Sequence, residues 1–217
     1  MNLTWWGWNQ PLLSNQASEK EPAEIIITPP LTVETDDTHV YFYSEVNSDR
    51  ALDLIQRLRE TDARLRWMHS NRELPGENIV PIWLHINSSG GDLFTAFAVA
   101  DQVAGLKTPV YSIIEGLAAS AATIISVACT KRFILPHSYM LIHQFWSAFW
   151  GKHEEFKDEM ALQEMLIDQF VEFYQKRTKL SSEDLREKLK HDFWMNAQQA
   201  LQYGFVDEIR PSASVGV

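Results

Sequence analysis

The chain has 217 residues, 45% apolar and 22% charged, with 19 Lys+Arg against 29 Asp+Glu for a net charge of −10. That composition supports a hydrophobic core and excludes a wholly disordered chain. The acidic balance argues against a dedicated nucleic-acid binder, which needs a Lys/Arg surplus to neutralise phosphates, and the one cysteine, Cys129, rules out an internal disulfide and a cysteine-based zinc set.

Residues 1–37 hold three of the eight tryptophans, Trp5, Trp6 and Trp8, and four of the nine prolines without sustained periodicity. They read as an appended arm, its tryptophans either tucked onto the parent domain or forming an adhesive patch for a partner. No basic residue precedes Lys20, so a secretory signal is not expected and the protein is expected to stay in the cytoplasm. From residue 38 to 210 strands and helices alternate, and 211–217 form a tail. A short β-prone run at 40–43 precedes a helix capped by Ser48, in which Leu52, Ile55, Leu58 and Leu65 keep helical spacing and Asp62 breaks it. A polar loop with Pro75-Gly76 leads to a strand at 81–86, and a helix at 93–105 ends on Gly105.

The longest apolar region, 110–128, is interrupted by Glu115-Gly116 and reads as a buried strand at 110–114 and a small-residue helix from Ser120, not as a membrane span. Short strands at 131–134 and 139–143 flank a turn at Pro136. A long helix is predicted over 152–177, with one apolar set at Phe156, Met160, Ile167, Phe170 and Tyr174 and another at Leu162, Leu166 and Phe173. Ser181 caps a short helix with Asp184 three residues on, Asn196 starts another that Gly204 stops, and 206–209 is a final strand. Such alternation predicts an α/β fold with largely parallel strands.

Three local features carry chemistry. In Ile86-Asn87-Ser88-Ser89-Gly90-Gly91 a strand opens into paired glycines ahead of a helix. This is either a plain turn or a place where backbone amides face a phosphate or a developing oxyanion; it lacks the lysine of a P-loop and the spacing of a dinucleotide fingerprint, which disfavours nucleotide binding. In Gly116-Leu117-Ala118-Ala119-Ser120-Ala121-Ala122 a serine sits at a strand-to-helix junction among tiny side chains, where its hydroxyl serves as an N-cap or as a nucleophile. In Met140-Leu141-Ile142-His143-Gln144 a histidine ends an apolar strand, as a bonded core residue or as a base. No metal set or cofactor motif is found among the seven histidines and their neighbours, so neither is expected.

These segments, in this order and followed by Phe193-Trp194-Met195-Asn196-Ala197 and Tyr203-Gly204-Phe205-Val206-Asp207, resemble the proteolytic subunit of the Clp protease. The resemblance covers residues 80–209. It implies the crotonase-like βαβ spiral with a long oligomerisation helix, and a serine endopeptidase acting on peptides or unfolded chains inside stacked, heptameric rings. By position it assigns Ser120 as nucleophile, His143 as base and Asp192 as orienting acid, with the amides of Gly91 and Ala121 as oxyanion donors. Asp184 and Asp207 are the other aspartates near that third position. No nucleic acid or membrane partner is expected.

Departures from the family pattern are Ser89 and Phe145, where proline is usual, Ala121-Ala122 in place of methionine and glycine, and an aromatic loop at 145–151. Residues 1–37 do not resemble the family's N-terminal segment, so docking of an ATPase unfoldase is an open expectation. Two rival readings are an inactive ring subunit and an acyl-CoA enzyme of the same fold, the latter leaving a Ser/His/Asp set unexplained.

Overall fold

The computed structural model describes residues 33–36, 38–71, 80–144 and 148–211; the tryptophan cluster, the Pro75-Gly76 loop, residues 145–147 and the chain's last six residues lie outside the described residues. The elements in chain order are β1 (Val33–Asp36), β2 (His39–Phe42), α1 (Ser48–Ser70), β3 (Ile82–Ser88), α2 (Leu93–Gly105), β4 (Val110–Ala119) and α3 (Ala121–Val127). There follow β5 (Lys131–Ile134), β6 (Tyr139–Ile142), α4 (His153–Gln175), α5 (Ser182–Leu189), β7 (Phe193–Asn196), α6 (Ala197–Gln202) and β8 (Glu208–Ile209). The expected α/β alternation is present. β1, at the end of the stretch read as an arm, pairs antiparallel with β2 and so belongs to the sheet.

The sheet runs β1-β2-β3-β4-β5-β8, parallel from β2 onward, with β6 and β7 branching from β4. β4 is the pivot. Its first half, Tyr111 to Ile114, pairs with β5, whereas Leu117 to Ala119 pair with β6. The change of partner falls at Glu115-Gly116, the pair that interrupts the apolar run, and Gly116 has φ +98 there, with Asn87 Oδ1 only 3.1 Å from where a β-carbon would stand. Glycine tolerates both the positive φ and the close approach. β4 therefore continues past the expected end at residue 114, and α3 starts at Ala121 with all seven residues buried.

α1 differs from expectation at two points. Asn47, not Ser48, is the N-cap, its side chain accepting from the Arg50 N–H at 3.0 Å. Leu52 is 56% exposed, because the core-facing stripe is Ala51, Leu54, Leu58, Asp62 and Leu65, and Leu52 lies one residue, about 100° of helix, off it. Asp62 belongs to this stripe: its carboxylate accepts from the Thr108 N–H at 2.8 Å, tying α1 to the loop before β4.

α4 divides along its length. Leu166, Phe170, Val171, Phe173 and Tyr174 are buried against the domain, whereas Phe156, Met160, Leu162 and Met165 are exposed. The exposed residues do not follow the two sets expected for this helix: Phe156 and Met160 belong to the first, Leu162 to the second and Met165 to neither, and position along the helix is what separates exposed from buried. No helix among the described residues is long and apolar enough to cross a membrane.

Candidate active site

Ser120 closes β4 in a strained conformation. Its φ of 53° and ψ of −123° make it the one non-glycine with positive φ among the described residues, a state that costs of order 1–3 kcal/mol and persists where surroundings enforce it. The surroundings do so from two sides: its N–H donates to the Leu141 carbonyl at 2.7 Å, and its carbonyl accepts from the Thr123 N–H at 2.9 Å. The hydroxyl makes no cap bond to α3, so of the two roles open to Ser120 the N-cap is not taken up. Ser120 is thus a half-buried serine at a sharp strand-to-helix turn, the kind of backbone setting in which an Oγ can be held open to a substrate.

The glycine pair lies against this turn. A β-carbon on Gly90, whose φ is +90°, would stand 2.4 Å from the Ala119 carbonyl and 2.8 Å from Ser120 Cβ. Gly91 forms a parallel bridge with Val46, in which the Val46 N–H donates to the Gly90 carbonyl and the Asp92 N–H donates to the Val46 carbonyl, both at 2.8 Å. In a parallel bridge the two bonds use the groups flanking the central residue, so the N–H of Gly91 itself points away from Val46. Ala121 is the first residue of α3, and its amide has no carbonyl one turn back within the helix.

His143 and Asp192 follow from register. β6 and β7 pair antiparallel with Met140 opposite Met195 and Ile142 opposite Phe193; His143 and Asp192 are the residues that adjoin this last pair. β6 pairs on its other edge with β4, Ala119 opposite Leu141, and Ser120 is the next residue. Ser120, His143 and Asp192 thus each adjoin the paired end of one of three neighbouring strands, β4, β6 and β7. His143 is half-buried and Asp192 exposed, and no hydrogen bond joins the three among the described residues. The rival aspartates are engaged elsewhere: Asp184 accepts from Ser181 Oγ at 2.8 Å in a capping box, and Asp207 receives Arg132 Nη2 at 2.7 Å and Nε at 3.1 Å.

One cluster escapes the sequence reading. His39 Nδ1 lies 2.8 Å from His85 Nε2, His85 Nδ1 lies 2.8 Å from Glu115 Oε1, and Tyr43 donates to the other Glu115 oxygen. Burial alone would raise the Glu115 pKa, but the hydrogen bonds from His85 and Tyr43, with the charges of the two histidines, outweigh it and hold the carboxyl below its ordinary value. His85 alternates with the core residues Leu84 and Ile86, so the cluster sits on the sheet face away from them. The available signal is His85 and Glu115 at outward positions of neighbouring strands.

The fold is that of the crotonase-like α/β proteins, and the comparisons with known proteins agree. The family model for Clp protease matches residues 34–213. A proteolytic subunit of the ATP-dependent Clp protease from Protochlamydia amoebophila is 30% identical over 80% of this chain and 81% of its own. One from Streptococcus mutans is 35% identical over 61% and 70%. A solved structure, a point mutant of ClpP1 from Listeria monocytogenes, superposes with a TM-score of 0.69 at 25% identity, covering 82% of this chain and 93% of that one. The chain belongs to the Clp protease family, and it is a serine peptidase of the ClpP-like kind.

Proposed function

We propose that this protein is a serine endopeptidase subunit that cleaves peptides or unfolded polypeptides inside an oligomeric chamber, with Ser120 as nucleophile, His143 as base and Asp192 as orienting acid. The observation that carries the reading is the strained, uncapped Ser120 at the head of a Ser120–His143–Asp192 series on adjacent strand ends. His143 takes the hydroxyl proton as Oγ bonds to the scissile carbonyl carbon, and the carbonyl π electrons move to oxygen. The N–H groups of Gly91 and Ala121 stabilise that oxyanion. The imidazolium, held by Asp192, then protonates the leaving amine, and water repeats the sequence to free the acyl group.

Assembly is part of the proposal. The exposed Phe156, Met160, Leu162 and Met165 on α4 want a neighbouring subunit, and α4 begins ten residues after His143 (153 − 143). Packing of the ring against this segment brings His143 into bonding range of Ser120 and Asp192. A ring of seven subunits, stacked in pairs in the cytoplasm, is the form proposed. The relatives are named as subunits of an ATP-dependent protease; an ATPase unfoldase is the corresponding proposed partner here. The chemistry calls for no cofactor or metal.

The test is hydrolysis of a fluorogenic peptide by the assembled protein and by its Ser120→Ala and His143→Ala variants. Loss of turnover in both, with assembly intact, supports the reading; turnover retained in Ser120→Ala overturns it.

A further inference from the structure

A chain of hydroxyls runs from the long helix α4 to the backbone of the serine turn. Thr123 Oγ1 donates to the Ser120 carbonyl at 2.6 Å and lies 2.5 Å from the Tyr174 hydroxyl. A threonine hydroxyl has one hydrogen, and it is committed to the Ser120 carbonyl, so the Tyr174 hydroxyl is the donor in the second bond. The direction is therefore Tyr174 O–H to Thr123 Oγ1, and Thr123 O–H to Ser120 C=O. Both side chains are wholly buried. Tyr174 is enclosed by Phe170, Phe173 and Phe205, with ring centroids 4.7, 5.5 and 5.3 Å away. Burial raises the Tyr174 pKa well above the ordinary phenol value, so the hydroxyl keeps its proton at any working pH.

We infer that Thr123 and Tyr174 are positioning residues that hold the Ser120–Ala121 peptide in the orientation catalysis requires. The inference rests on the proposed role of the Ala121 amide. The Ser120 carbonyl and the Ala121 N–H belong to one planar peptide and point in opposite directions. Anchoring the carbonyl inward, on Thr123 N–H and Oγ1, fixes the N–H outward, toward the side where an oxyanion would form. At a φ of 53° the ψ of −123° puts Ser120 far from the left-handed well near ψ +47°, and turning this peptide over would carry it toward that well; such a rotation would replace the oxyanion donor with a carbonyl. Because Tyr174 belongs to α4, the helix proposed to bind neighbouring subunits also supports the oxyanion site.

Tyr174→Phe and Thr123→Val each delete a hydroxyl while keeping shape, and Thr123→Ser keeps it. Four quantities are measured on the assembled protein: kcat, KM, affinity for a substrate-like peptide aldehyde, which forms a tetrahedral adduct on the serine, and melting temperature. Removing an oxyanion donor outright costs about 10²–10³ in kcat, so loosening one in Thr123→Val is expected to lower kcat about tenfold or more. KM should stay nearly constant, aldehyde affinity should fall in parallel with kcat, and Thr123→Ser should retain the rate. Tyr174→Phe should fall in the same direction, and the double variant Thr123→Val/Tyr174→Phe should be no slower than Thr123→Val, since Tyr174 acts through Thr123. Unchanged kcat in Tyr174→Phe and Thr123→Val, a loss confined to KM, or multiplying losses in the double variant would overturn the inference. If Thr123→Val does not accumulate folded, Tyr174→Phe decides by the same readouts. Ser120→Ala separates the two claims: activity surviving there refutes the proposed function, whereas activity lost there but full in the hydroxyl variants refutes only this inference.

Discussion

Gly90 stands so close to Ser120 that a β-carbon at position 90 would lie 2.8 Å from Ser120 Cβ and 2.4 Å from the Ala119 carbonyl. The glycine loop and the serine turn are thus one packed unit, with backbone on both sides and little slack. Gly90 is also at φ +90°. Gly90→Ala should therefore push the two segments apart and strain its own backbone, destabilising the protein by about 1–3 kcal/mol. Peptide hydrolysis should fall far more than stability does. A melting curve and a rate like the parent's would show that the loop yields.

Asp192→Asn should lower peptide turnover by two to four orders of magnitude, roughly 10²–10⁴, with secondary structure and assembly unchanged, because an amide favours the wrong imidazole tautomer. Circular dichroism and initial rates check this together. Asp184 and Asp207 are committed to Ser181 and Arg132, so their substitution should show itself in melting temperature instead. An unchanged rate in Asp192→Asn would move the third role elsewhere.

Asp62 predicts a pH dependence. Burial would raise its pKa, but hydrogen bonds from Thr108 and the nearby Arg66 guanidinium outweigh this and lower it. A carboxylate depressed in the folded state contributes stability that is present above its unfolded pKa, about 3.9, and is lost as pH falls through the lower folded value. Asp62→Ala leaves the Thr108 N–H without its acceptor and should cost about 1–3 kcal/mol at neutral pH. Its loss of melting temperature below pH 4 should be shallower than the parent's; parallel curves would contradict the account.

Much of this is legible from residue pattern, and the exceptions have physical reasons. Glu115-Gly116 breaks an apolar run that reads as a single strand and helix; only pairing shows that the strand continues and changes partner there. Asp62 looks like a fault in helical spacing because periodicity does not register a buried carboxylate with an amide to bind. Ser120 is visible as a serine among small residues, yet its positive φ is held by its own first helical turn through Thr123 and by Leu141 and Gly90, which come from two distant parts of the chain. The adjacency of Ser120, His143 and Asp192 is likewise a property of register, which composition does not carry.

α4 supplies the assembly prediction. Charges at Leu166 or Phe170 would not test it, since those residues are 9% and 7% exposed and pack inside the subunit; Leu166→Glu should unfold it. Met160 and Met165, 53% and 68% exposed, are the positions where Met→Glu should disperse the ring and keep the fold. Sedimentation velocity should then show a species near 25.0 kDa that has lost peptide cleavage. A parent protein that is itself a stable 25.0 kDa monomer at micromolar concentration, or a dispersed variant of full activity, would contradict this.

The most direct measurement is the intact mass of the protein after treatment with a serine-reactive fluorophosphonate. The account predicts one adduct per chain, located by peptide mapping at Ser120 and absent from Ser120→Ala. An adduct that persists in Ser120→Ala, or a parent protein that hydrolyses peptide yet forms no adduct, would contradict the assignment of Ser120 as the nucleophile.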